Sequence, residues 1–156
     1  MEATTSTFLI THADDDSAMA RDVHSGQVHP LADNPGVEAG DVIEATVAPE
    51  PPLELTWQVI EVDDRRTIPV KRSEEPPTSQ ERELASEQEI GEMTRTERAG
   101  TGEIHVISVD PAQTDAAVAD VLEDEGTRTR GARLGVNRVE IRADGTDGII
   151  SVRYLP

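Results

Sequence analysis

Short apolar runs that alternate at period two, each closed by proline or glycine, set the fold class of the first seventy residues. Asp41–Ala48 is the plainest of them. Ile43, Ala45 and Val47 alternate with Val42, Glu44 and Thr46, as in a half-buried strand, and Pro49, Pro51 and Pro52 stop it. Before it, Thr7–His12 runs into the turn-forming Asp14-Asp15-Asp16-Ser17. Ala18–His24 and Gln27–Leu31 flank Ser25-Gly26 and read as a hairpin with a two-residue loop. After it, Leu53–Val62 puts Leu55, Trp57 and Val59 on one face, and Arg65-Arg66 reads as a turn into Thr67–Lys71. About six short strands in this space predict a small barrel or compact sandwich over residues 1–72.

Ser73–Ser79, with Glu74-Glu75 and Pro76-Pro77, reads as a boundary. Thr78 and Glu81 fit a capping box for a thin-faced helix over Gln80–Met93. Thr94–Gly102 is polar, so residues 73–102 read as a linker with one helix. Glu103–Val109 then reads as a strand. Asp110 followed by Pro111 starts a helix whose stripe is Ala117, Val118, Val121 and Leu122, and Gly126 ends it. Thr127–Leu134 reads as one more helical turn. Val136–Ala143 and Ile149–Leu155 form a hairpin over Asp144–Gly148. The predicted class is α+β: a small β-barrel-like N-terminal domain, a helical linker, and a β-α-β-β unit over residues 103–156.

Charge enters where environment is at issue. The chain carries 32 acidic and 14 basic residues, a net −18, and Lys71 is its only lysine. Hydrated carboxylates in place of lysine stems suit a surface built for high salt. Leu, Ile, Val and Phe number 34 of 156 and fall in periodic runs, which separates the chain from an acidic disordered one. Without cysteine there is no disulfide, thiolate metal site or cysteine nucleophile. Met1-Glu2 leads into Thr and Ser with no basic and apolar leader, and no apolar run is long enough to span a bilayer. The expected location is cytoplasmic, away from membranes.

The charge is uneven. Residues 1–75 carry 16 acids and 5 bases, net −11, and residues 76–126 carry 13 and 3, net −10. Residues 127–156 carry Arg128, Arg130, Arg133, Arg138, Arg142 and Arg153 against three acids, net +3. Period two puts Arg138, Glu140 and Arg142 on one face of the terminal hairpin, where Arg153 can join them. Such a face could meet RNA, a phosphate backbone or an acidic partner. It could equally pair with the chain's own carboxylates, notably Glu123, Asp124 and Glu125. High salt weakens phosphate contacts, and Phe8, Trp57 and Tyr154 are too few for a stacking platform.

In the first hairpin, a Ser25-Gly26 loop would set His24 opposite Gln27 and Asp22 opposite His29. Asp22, His24 and His29, with His12 from the adjoining strand, could then hold a divalent metal. A solvated polar face is the simpler reading. No cofactor is expected. Gly100-x-Gly102 precedes a strand, where a dinucleotide loop would link a strand to a helix, and no Walker, G-x-S-x-G or His-Glu-x-x-His sequence is present.

Three segments carry a resemblance: Thr7–Ser17, Arg21–His29 and the ending Ser151–Pro156. Through them the chain resembles, over its full length, a family of small acidic proteins of halophilic archaea. That resemblance implies a salt-adapted cytosolic protein and brings no catalytic residue. The functional expectation is a non-enzymatic binding or adaptor protein. Its partner would be a protein or ribonucleoprotein met through the arginine face of residues 128–153 or through the His24/His29 face. A metal-dependent protein or enzyme using the His24/His29 face is the alternative.

Overall fold

In the computed structural model, which describes residues 3–156, ten strands and three α-helices build two five-stranded sheets of an α+β chain. The first sheet contains β1 (Thr4–Ala13), β2 (Ala18–Asp22), β3 (Val28–Leu31), β4 (Asp41–Pro49) and β5 (Trp57–Thr67). They form a closed ring in the order β1-β2-β3-β5-β4, with β4 returning to β1. Neighbours are antiparallel except β3 and β5, which run parallel and share one register pair, Leu31 opposite Trp57. The period-two side chains Phe8, Ile10, Ala20, Ile43, Ala45 and Val47 are fully buried and fill the ring. Burying each larger one stabilises the fold by about 1.5–3 kcal/mol. Bulges in β1 between Ile10 and His12, and at two places along β4–β5, add the local bend that curls long strands into a ring.

The ring has five strands and not the expected six. β5 runs straight through Arg65-Arg66, because β4 offers Ile43 and Val42 as partners there, and no turn forms. β5 ends at Thr67, and Val70–Arg72 (β6) belongs to the second sheet. The β2–β3 register also differs. Ala20 faces His29 and Arg21 faces Val28, two positions away from the pairing a Ser25-Gly26 loop would impose.

The second sheet has the order β6-β9-β10-β8-β7, with β7 at Met93–Glu97, β8 at Glu103–Ser108, β9 at Arg138–Asp144 and β10 at Ile149–Leu155. β10 is central and antiparallel to both neighbours, whereas β6 runs parallel to β9. α1 (Ser79–Ser86) starts on the expected capping box: the Thr78 hydroxyl accepts from the Glu81 N–H, and Glu81 Oε1 accepts from the Thr78 N–H at 2.9 Å. Its Ala85 and Leu84 pack on Val106, Ile104 and Ile149. A single 3-10 turn, Pro111–Gln113, held by Asp110, leads into α2 (Thr114–Glu123), and α3 is Glu125–Leu134.

The stretch expected to be a linker is therefore part of this sheet's architecture, with a shorter helix than expected and an added strand, β7. The expected β-α-β-β unit gains a second full helix and two edge strands. The chain divides into two compact units, one running as far as Ile68 and including Arg128–Arg133, the other comprising Pro69–Thr127 and Leu134–Pro156. Among the described residues no helix is long and apolar enough to cross a membrane.

Candidate functional site

Alternation along β9 and β10 sets Arg138, Glu140, Arg142 and Arg153 on the face that α1 covers, with Arg153 opposite Glu140 in register. The Arg142 guanidinium is hydrogen-bonded to Glu140, reaches Glu75 at 2.7 Å and donates to the Pro76 carbonyl. That bond to Glu140 holds its proton affinity above the ordinary arginine value; burial opposes this, and the charges of Glu140, Glu75 and Glu81 reinforce it. Arg153 is bonded to the buried Glu81 and lies 3.4 Å from Glu140. The Arg142 and Arg153 side chains are only 15% and 16% exposed, whereas Arg138 is 54% exposed and 3.7 Å from Glu140. The carboxylates beside these three arginines are Glu140, Glu81 and Glu75. This geometry builds a clasp between α1 and the sheet.

The other three arginines stand elsewhere. Arg128, Arg130 and Arg133 lie on α3, in the part that groups with the ring, and Arg133 Nε donates to the Val23 carbonyl at 2.8 Å. The six arginines thus divide between the two units, three and three.

In the ring, Asp22 closes the β2–β3 turn. Its Oδ1 accepts from the N–H groups of His24 and Ser25 and from the Ser6 hydroxyl. Burial pushes its pKa up, but these hydrogen bonds outweigh burial and hold it below the ordinary carboxylate value. Capping by Asp22 makes a wider turn than Ser25-Gly26 alone, and it sends His29 inward. His29 is buried edge-on between Phe8 (centroids 5.5 Å) and Trp57 (4.3 Å), and neither ring nitrogen has a hydrogen-bond partner. Burial lowers its pKa, with Asp22 opposing. His24 is exposed in the turn, and His12 sits 3.7 Å from Asp14. Among the described residues no group of three or more His, Asp or Glu side chains is arranged to hold a metal ion.

Two features escaped sequence reasoning. The β4–β5 hairpin and its outer strand expose Leu53 (75%), Leu55 (73%), Ile60 (58%) and Val62 (41%). At the tip, Glu54 takes a positive φ of 57°, which turns the two flanking leucines outward. Beyond Trp57, β5 has no strand partner on its outer edge among the described residues. The alternation Leu53-Glu54-Leu55 after three prolines is the available signal, and period two sets Leu55 on one face with Trp57 and Val59. The second feature is a cleft of about 340 Å³ beside β6 and β9, bordered by Lys71, Arg72 and Arg138.

The model of DUF5812, a family of unknown function, matches residues 4–143. The chain belongs to this family. The DUF5812 match takes in the whole ring and the second sheet as far as β9, with β10 beyond its end. No curated protein and no solved structure matches the chain.

Proposed function

We propose that this DUF5812 member is a non-enzymatic, salt-adapted cytosolic binding module, whose ring is a small β-barrel that docks a protein partner on the β4–β5 hairpin and the outer edge of β5. The observation that carries this reading is the gathering of Leu53, Leu55, Ile60 and Val62, exposed, within ten residues of an otherwise acidic surface. Single exposed leucines need no explanation, but a cluster on a half-paired strand does. An unpaired edge offers backbone donors and acceptors to an incoming strand. The occupant that fits is an extended segment of a partner protein. Its apolar side chains would meet Ile60 and Val62, and its basic ones Glu61, Asp63 and Asp64. A second copy of the chain fits poorly, because residues 1–75 carry net −11 and would repel their like.

A five-stranded Greek-key barrel with its third strand parallel to its fifth is the plan of the oligonucleotide/oligosaccharide-binding fold. That fold takes ligands on its 1–2 and 4–5 loops. The likeness is one of architecture, so the loops must decide the ligand. Here they are Asp14-Asp15-Asp16 and Glu50–Leu55, acidic and apolar, which disfavours a phosphate chain and favours protein. RNA binding through Arg142 and Arg153 would first require breaking their pairs with Glu75, Glu81 and Glu140.

The test is affinity purification from cells in molar KCl, with and without nuclease, using wild type, the double variant Leu53→Glu/Leu55→Glu, and Arg138→Glu. We expect a nuclease-resistant protein partner that the leucine variant loses and the arginine variant keeps, with circular dichroism unchanged. A partner released by nuclease, or kept equally by the leucine variant, refutes the reading.

A further inference from the structure

β7 closes one side of the second sheet, and its outer edge has no strand partner among the described residues. The ladder to β8 fixes which backbone groups that edge offers. The Glu92 carbonyl accepts from the Ser108 N–H at 3.0 Å, and the Arg98 N–H donates to the Gly102 carbonyl at 3.2 Å. Alternation therefore turns the N–H and C=O groups of Thr94 and Thr96 towards β8, and those of Met93, Arg95 and Glu97 outward. The side chains of Met93, Arg95 and Glu97 share one face of the sheet and are exposed. An extended strand with unpaired backbone groups is a template for another strand.

The charges along this edge balance. Residues 92–98 carry Glu92 and Glu97 against Arg95 and Arg98, net zero, in a chain at −18. A neutral stripe is where so acidic a chain meets its like with least repulsion. The Arg95 side chain is 49% exposed and lies 3.6 Å from Glu103, too far for a hydrogen bond. Glu97 has no ion pair or side-chain hydrogen bond among the described residues. Both charges are therefore open to a strand laid along the edge.

We propose that β7 pairs antiparallel with β7 of a second copy of the chain, with Thr96 on the twofold axis, so that two five-stranded sheets become one. In this register Arg95 stands opposite Glu97 of the second copy, and Glu97 opposite Arg95 of the second copy. Both are positions whose outward N–H and C=O groups exchange hydrogen bonds across the axis. On the same face Met93 comes against Ala99, just past the end of β7. On the other face Thr96 meets its own equivalent and Thr94 meets Arg98. Neighbouring registers match less well. An axis at Arg95 or at Glu97 places like charges opposite each other, and one at Thr94 leaves both residues without an opposite charge. This edge belongs to the second sheet and not to β5, so failure of either proposal leaves the other standing.

Sedimentation equilibrium of the full chain in molar KCl tests this. A short strand pair contributes far fewer residues than the roughly 20–30 a side of a standard interface. A weak dimer is therefore expected, present at about 100 μM and dissociated at about 1 μM. Arg95→Glu sets glutamates opposite each other and Glu97→Arg sets arginines opposite each other, so each alone should weaken the dimer at least about tenfold. Mixed in equal amounts, the two variants should pair, because every charge then meets its opposite; that rescue also shows that both have folded. The chain has no cysteine, so a single introduced one reports the register. Thr96→Cys should cross-link to its equivalent on oxidation, since the two Cα atoms of a non-hydrogen-bonded pair stand about 4.5 Å apart. Thr94→Cys, about 14 Å from its equivalent, should not. Four results overturn the proposal: a monomer at about 100 μM, a dimer that survives Arg95→Glu, charge variants that fail to pair when mixed, or cross-linking as ready at position 94 as at 96.

Discussion

Replacing Glu81 tests directly whether the arginines of β9 and β10 are structural. Its carboxylate does two things at once: Oε1 caps α1 through the Thr78 N–H at 2.9 Å, and Oε2 binds the Arg153 guanidinium. Glu81 is 2% exposed, so the pair with Arg153 is not a surface pair. Removing one partner of a buried ion pair costs about 3–5 kcal/mol, because the other charge stays buried alone. Here the loss is smaller, since Arg153 keeps Glu140 at 3.4 Å and is 16% exposed. About 2 kcal/mol is a reasonable residue of that cost. Glutamine retains a carbonyl oxygen for the cap, so Glu81→Gln should lose about 2 kcal/mol. Glu81→Ala loses the cap as well, adding about 1 kcal/mol. In the double-mutant cycle with Arg153→Met, a coupling of about 1–3 kcal/mol is expected. The assay is urea unfolding at fixed molar KCl, followed by far-ultraviolet circular dichroism. Should Glu81→Gln match wild type within about 0.5 kcal/mol, the clasp contributes nothing and Arg153 is available to a ligand.

Acid should weaken the ring in two stages. His29 is buried neutral with its pKa below the ordinary 6.5, so below that pH the unfolded chain binds more protons than the folded one. Its contribution is complete above pH 6.5 and falls as pH drops towards the folded value; His29→Leu should erase this stage in melts followed by Trp57 fluorescence. Asp22 is depressed below 3.8, so its contribution is present above that pH and is lost as pH falls through the folded value. Asp22→Asn should flatten the second stage and leave the first. In the second unit, Gly148→Ala should cost more than about 2 kcal/mol in urea unfolding, because φ is +68° and a Cβ would run into the Val109 carbonyl oxygen. A near-neutral result would mean that the β9–β10 turn relaxes freely.

Alternation made β4 and β10 legible, because both bury a face whose residues are apolar. It failed at β5, where Arg65-Arg66 reads as a turn. Their backbone is held by β4, and Arg65 finds Asp41 at 2.9 Å and the Gly36 carbonyl, partners remote in sequence. It failed again at β7, an edge strand whose Met93, Arg95 and Glu97 face solvent; the β-branched Thr94 and Thr96 were the only trace. The β2–β3 register turned on Asp22 bonding the backbone two and three residues ahead, which a pattern of apolar positions cannot record. Segment charge correctly marked residues 127–156 as unusual but not why. Arg153 meets Glu81, 72 positions away, inside a segment counted as acidic.

The two units also interleave along the chain. The ring reaches Ile68, its neighbour begins at Pro69, and residues 128–133 return to the ring before Leu134 resumes the other. No single cut in the gene separates them, so neither could be exchanged with a foreign domain by one crossover. During synthesis the ring must wait for Arg133 before its last piece leaves the ribosome, some sixty residues after its fifth strand. The chain is inherited and assembled as one object, whatever it binds.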